Sequence, residues 1–197
     1  GICVDGDTAG VAWVDLSTGD FAIDEMPRVE LADELERTAP AELLVSEGFD
    51  ESELVHLTRI LPGAAHSRMD DWHFERDTAR RVLLEQFNVR SLKGFDCDDL
   101  DTGVRAAGAA LAYLQDNQRA AVTHIHRLRR RRRDDCLLLD ATAQRNLDLL
   151  VNQHDGGRDG TLLAVIDRTR TAMGARLLRQ WLMAPLRSPA TICDRLD

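Results

Sequence analysis

The sequence predicts an α/β domain with a mixed sheet flanked by helices, followed by a mainly α-helical second part. Three observations carry this. Short apolar runs broken by Gly/Asp turns fill the first 24 residues and then alternate with helical patterns up to residue 61. From residue 100 onward the apolar residues recur mainly at helical spacing. Charge changes sign near residue 118: residues 1–118 carry 10 basic and 25 acidic side chains, a net −15, whereas residues 119–197 carry 15 Arg and 9 Asp, a net +6.

Taken in order, Ile2 to Val4 and Val11 to Leu16 read as strands joined across Asp5-Gly6-Asp7. Ser17 to Asp20 makes a second turn before a strand at Phe21 to Asp24. Val29 to Thr38 reads as a helix with Leu31, Leu35 and Ala39 on one side, stopped before Pro40. The short apolar run Glu42 to Ser46 fits a buried parallel strand, and Glu51 to Leu61 a helix ended by Pro62-Gly63. Trp72 to Phe87 is amphipathic through Phe74, Ala79, Val82, Leu83 and Phe87, and Val89 to Gly94 reads as a loop. The helix from about Leu100 to Gln118 is rich in Ala and Gly, which permits close helix approach.

Arg127 to Arg133 holds six arginines in seven residues. Cys136 to Leu139 is a short apolar segment, Asp140 an N-cap for a helix through Val151, and Asp155 to Gly160 a turn. Thr171 caps a helix whose Met173, Leu177, Leu178, Trp181 and Leu182 form an apolar ridge, with Arg176, Arg179 and Gln180 opposite and Pro185 as its stop. Gly174, inside the first turn, suggests a close backbone approach. If the ridge is buried, Trp181→Ala costs roughly 3–5 kcal/mol.

The string from Leu163 to Asp167, through Arg168-Thr169 and Thr171-Ala172-Met173-Gly174-Ala175-Arg176-Leu177-Leu178, to Trp181-Leu182 and Pro185-Leu186, resembles the start of the core (lever) domain of MutS, the DNA mismatch-recognition ATPase. Gln144 to Leu149 resembles a Thr-Arg-Arg-Asn-Leu-Glu-Leu signature of that family, with Ala143 and Gln144 standing where Thr and Arg are usual. Gly10 to Phe21 and Pro40 to Leu44 are similar to the family's connector domain, and Leu92-Lys93-Gly94-Phe95 with Leu100 to its link into a long helix. The resemblance implies an RNase H-like connector over residues 1–118 and the beginning of the helical core over 119–197. It implies work in DNA mismatch repair and the DNA damage response, as a mechanical link between the mismatch-binding and ATPase/clamp parts. It implies as partners the other domains of the family's proteins, MutL docked on the connector, mismatched duplex DNA through the longer protein, and a homodimer. Leu163, Ile166, Met173, Gly174, Leu177, Leu178, Trp181 and Leu182 are then lever-packing residues, and Arg168 and Arg176 polar interdomain contacts.

No cofactor is expected for this chain, and the ATP and magnesium of the family are expected to bind C-terminal to it. A phosphate-binding loop needs Lys followed by Ser or Thr, whereas Lys93, the one lysine, precedes Gly94-Phe95. Phe49-Asp50-Glu51 matches the family's Phe-x-Glu mismatch-reading letters, but it lies before a predicted helix and reads as a loop anchor.

Two other classes compete with this reading. Asp5, Asp15, Asp20 and Asp24 suggest a metal-dependent, RNase H-like nuclease, against turn chemistry for Asp15 and Asp20. Arg129, Arg130, Arg131, Arg132 and Arg133 suggest an arginine-rich nucleic-acid module. Without an interleaved aromatic the run suits phosphate attraction over base reading, and Asp134-Asp135 partly neutralise it. The resemblance sets the run where connector meets core, so DNA contact and interdomain contact both stand.

Cys3, Cys97, Cys136 and Cys193 form no Cys-x-x-Cys pair, and the six His show no metal spacing, with His124 and His126 read as a strand edge. The isolated thiols fit a reducing compartment, the cytoplasm. No apolar run of about 18 residues predicts a membrane span. The absence of a leader and a helical pattern still running at Arg195-Leu196-Asp197 suggest a piece of something longer.

Overall fold

The computed structural model describes residues 1–117, 122–131, 136, 137, 139 and 141–196. The chain divides into two compact units, residues 1–35 with 39–131, and residues 36–38 with 132–197. The boundary expected near residue 118 and the N-cap expected at Asp140 lie outside the described residues.

In the first unit β1 (Ile2–Asp5), β2 (Thr8–Asp15) and β3 (Asp20–Pro27) form an antiparallel meander, with Ile2 opposite Val11 and Val14 opposite Phe21. A fourth strand, β6 (Leu128–Arg130), joins β3 in parallel and completes the order β1-β2-β3-β6. β4 (Glu42–Ser46) and β5 (Ala65–Met69) make a separate parallel pair, with β4 beside β1. The mixed sheet expected from the sequence is therefore present.

Strand alternation sends side chains to two cores. On one face Ile2, Val11, Met26, Leu43 and Val45 pack with Leu31 and Leu35 of α1 (Leu31–Thr38) and Leu54 and Leu57 of α2 (Glu51–Ile60). On the other, Ala12, Phe21, Ile23 and Leu44 meet Leu83 of α3 (Arg76–Phe87) and the Ala-rich side of α4 (Thr102–Asn117). Asp50 caps α2 by accepting from Glu53 N–H at 2.8 Å. The start of α4 is held from β3: Glu25 Oε1 accepts from Thr102 Oγ1 and from Gly103 N–H, both at 2.9 Å. The helix expected at Trp72 begins at Arg76, because Asp71–Phe74 winds as a tighter 3-10 turn. The loop expected at Val89 to Gly94 ends in another such turn, Leu92–Phe95.

The second unit contains α5 (Ala141–Asn146), α6 (Leu162–Ile166), α7 (Ala172–Met183) and α8 (Pro189–Leu196). The helix expected through Val151 stops at Asn146, and the chain turns at Asp148, whose φ is 45°. That turn pairs with the start of α6, Leu162 N–H donating to Asp148 C=O and Leu163 N–H to Leu149 C=O. Thr161 caps α6 through Ala164 N–H, and Thr171 caps α7 through Gly174 N–H, each at 3.1 Å. Cys136 bridges to Leu186 in antiparallel fashion. Among the described residues of this unit, Leu149, Leu163, Met183 and Thr161 are buried.

Candidate functional site

The arginine run is where the sequence concentrates charge, and its described part is exposed Arg127, strand β6 and Arg131 beside it. Leu128 is buried at the end of β3 opposite Phe21, which sets the register Ala22–Arg129 and Ile23–Arg130. Arg131 N–H then donates to Ile23 C=O at 2.8 Å. In this register the guanidinium groups of Arg129, Arg130 and Arg131 each reach a carboxylate of the first unit. Arg129 grips Asp20 in bidentate fashion, Nε and Nη2 each 2.8 Å from an oxygen. Arg130 Nη1 lies 3.1 and 3.0 Å from the two oxygens of Asp99. Arg131 Nη1 donates to Glu34 Oε1 at 2.7 Å, and its Cζ lies 4.9 Å from the Trp13 ring centroid. Glu34 is 4% exposed at its side chain, so this is the most shielded of the three pairs. Arg132 and Arg133 lie outside the described residues. Sequence reasoning found the arginines and missed all their partners. Asp20, Glu34 and Asp99 stand 109, 97 and 31 positions away, with no local signal joining them. His124 and His126 precede the strand and are exposed.

The apolar ridge is the second feature, and here the expectation of burial needs correcting. Met173, Leu177 and Trp181 are 52%, 45% and 37% exposed, and Ile166 is exposed as well, while Leu163 is buried and Leu178 and Leu182 are half-buried. The reason lies in the helical wheel. Ala175, Leu178 and Leu182 form a second apolar stripe roughly a third of a turn away from Met173, Leu177 and Trp181. The second unit partly covers the former, and among its described residues no helical layer lies over the latter. Arg195 covers part of Trp181, its Cζ 4.6 Å from the ring centroid. Trp181→Ala is accordingly expected to cost only about 1 kcal/mol within this chain. Denaturant unfolding of the second unit checks this, and a loss of 3 kcal/mol or more would restore the buried reading. Gly174 is corrected too: among the described residues the three atoms nearest a Cβ there are side-chain atoms, the Thr171 hydroxyl at 3.1 Å and Thr169 carbons at 3.4 and 3.5 Å, so the closest approach is not by another backbone.

Around these residues the second unit is basic and locally braced. Asp167 accepts from Thr169 Oγ1 at 2.6 Å, Thr169 N–H at 3.1 Å and Arg158 Nη2 at 2.5 Å, which together hold its carboxyl below the usual range. Arg168 and Arg176 are exposed. Gln144 donates its amide to Leu139 C=O at 2.8 Å, so one of the two residues that depart from the family signature makes a local contact.

The carboxylates of the nuclease reading are dispersed. Asp5 pairs with Arg105 at 2.9 Å and sits at the opposite end of β2 from Asp15 and Asp20. Asp15 closes its turn on Ser17 N–H at 2.8 Å, Asp20 holds Arg129, and buried Asp24 accepts from Glu25 N–H at 2.9 Å. Among the described residues no group of three or more His, Cys, Asp or Glu is placed to hold a metal ion. Phe49 is half-buried and packs against the α1–α2 core, ahead of the Asp50 cap. Burial pushes the Cys3 thiol up to about 11 and the Cys97 thiol up to about 12, away from reactivity.

Comparison with known proteins agrees with the layout. The model of MutS domain II matches residues 2–126, and that of MutS domain III residues 142–197. A DNA mismatch repair protein MutS from Salinibacter ruber is 40% identical over 193 residues, 98% of this chain. The chain spans 21% of that relative's length. An α/β unit under the domain II match, a helical unit under the domain III match and this identity over nearly every residue lead to one conclusion: the chain belongs to the MutS family of DNA mismatch repair proteins.

Proposed function

We propose that the chain is a mechanical and docking segment of a MutS-type mismatch-repair protein and performs no reaction of its own. The first unit acts as the connector, offering a surface to MutL, and the second as the beginning of the lever that carries state between the mismatch-binding and ATPase/clamp parts. ATP and magnesium belong, on this reading, to other parts of a longer, homodimeric cytoplasmic protein, and mismatched duplex DNA is engaged through it. The observation that supports this best is the bare stripe Met173–Leu177–Trp181 on a helix apolar on two faces. A helix of that kind belongs inside a larger helical assembly, and rigid packed helices are what transmit a displacement. Leu163, Ile166, Gly174, Leu178 and Leu182 line or flank the same packing, and Arg168 and Arg176 are assigned to polar contacts with neighbouring domains. The dispersed carboxylates give the nuclease reading no support, and the ion-paired β6 arginines give the nucleic-acid module none.

The test uses the full-length protein with Leu177→Asp, which puts a charge on the bare stripe without touching the small core of the second unit. The expected result is an ATP-driven release from mismatched DNA slowed at least about tenfold, with mismatch affinity within about twofold of the parent, the size of a typical coupling energy. Release at the parent's rate would overturn the lever assignment.

A further inference from the structure

Strand β6 is an unusual way to end a domain. It is three residues long, it lies at the edge of its sheet, and its ladder partner is β3 alone among the described residues. Of its side chains only Leu128 is buried among apolar neighbours. Beside its backbone ladder to β3, ion pairs converge on it and on Arg131 from three places: Asp20 at the β2–β3 turn, Asp99 ahead of α4, and Glu34 on α1. Two of these pairs are half open to water, with side-chain exposures of 50% and 38% for Arg129–Asp20 and 29% and 65% for Arg130–Asp99. Open ion pairs are screened by salt and contribute little singly, whereas a chelating set acting on one short strand is won or lost together. The residues after Arg131 belong to the second unit, so β6 is also the first unit's last hold on the chain.

We propose that β6 with Arg131 is a releasable strap: the four residues Leu128–Arg131 leave β3 as a group, while the rest of the first unit stays folded. Release frees a length of chain of about 13 Å, four residues at extended spacing. It also uncovers the guanidinium groups of Arg129, Arg130 and Arg131, which the closed strand holds against carboxylates. Leu128, buried opposite Phe21, gives the closed state its register, and the Trp13 face and the buried Glu34 carboxylate under Arg131 add to its hold. The strap rests on the mechanical reading above for its purpose, though not for its existence.

The Arg131 amide, bonded to Ile23 C=O, is the reporter, read by hydrogen exchange on the intact protein. Between about 0.05 M and 0.5 M NaCl, a range over which screening of exposed pairs becomes severe, exchange at residues 129–131 is expected to accelerate at least about tenfold, with amides of Val11–Val14 unchanged. Glu34→Gln is expected to give the same acceleration at low salt. Asp99→Asn, at an exposed site away from both cores, is expected to give about threefold. An Arg131 amide equally protected at both salts and in both variants would overturn the strap. So would one that exchanges in step with Val11–Val14, or one unprotected from the outset. If the amide opens as expected while the variants release mismatched DNA at the parent's rate, the strap stands and the mechanical reading loses its support. If the amide does not open, the strap falls and the Leu177→Asp experiment still judges the lever.

Discussion

Phe21→Ala is expected to remove roughly 3–5 kcal/mol from the first unit, the usual cost of deleting a fully buried aromatic ring. Phe21 is 0% exposed on β3, at the meeting point of the strands and the α3–α4 layer. Its ring centroid lies 6.4 Å from that of Phe87, which in turn lies 5.1 Å from Phe95, so one truncation opens a chain of aromatic contacts. Val14 faces it on one side of the ladder and Leu128 on the other. The cavity cannot close easily, because these neighbours are fixed by backbone pairing. Against a typical domain stability of about 5–15 kcal/mol the loss is a large fraction. A fall in melting temperature of roughly 10–20 °C follows for a unit of this size. Phe21→Leu, which keeps most of the volume, is expected to lose under about 2 kcal/mol. Thermal and urea unfolding of the parent and both variants check this, and a Phe21→Ala midpoint within about 2 °C of the parent would refute the core assignment. Since Leu128 rests against the same spot, the alanine variant should also unlatch β6 ahead of the rest.

What the sequence could reveal, and what it could not, follows from the range of the interactions concerned. The β1–β2–β3 meander was legible because Gly6 and the Ser17–Asp20 turn are local signals, and the apolar alternation between them is local too. β4 was legible as a short apolar run, Leu43 to Val45, buried on both faces. β5 was not: Ala65-His66-Ser67-Arg68-Met69 is an edge strand, largely exposed, and has no apolar face to betray it. β6 was hidden for a different reason. Arginine is an ordinary strand residue when a carboxylate waits at each position, but the waiting carboxylates are folded in from elsewhere in the chain. The ridge on α7 shows the complementary limit. Amphipathic spacing reveals which side chains share a face; it does not say whether the layer that covers them is present. A helix with two apolar stripes therefore reads as buried twice over and is covered once.

Gly10→Ala carries the other large effect, and here local propensity and packing predict opposite signs. In a strand, alanine loses less backbone entropy than glycine on folding, so by propensity alone the substitution would be neutral or mildly stabilising. The packing forbids it. A Cβ on Gly10 would lie 2.1 Å from the Thr102 carbonyl carbon and 2.3 Å from both Thr102 O and Gly103 N. Those are backbone atoms at the first turn of α4, so no rotamer change relieves the clash. The helix must retreat by about 1 Å or more, and its start is the end Glu25 holds through Thr102 and Gly103 at 2.9 Å. Retreat at that end also strains the contact at the opposite side of α4, where Gly108 already brings the helix against Ala79 of α3. The expected cost is about 3 kcal/mol or more, at the upper end for overpacking, with loss of the Glu25 cap as part of it. Gly63→Ala, where a Cβ meets nothing within 4 Å, is the matched control and should lie within about 0.5 kcal/mol of the parent. Urea unfolding of the two variants separates the arguments by sign. A Gly10→Ala protein as stable as its Gly63→Ala counterpart would mean that α4 does not lie across β2 at this distance, and the two-layer arrangement that carries β3, and through it the β6 strap, would have to be redrawn.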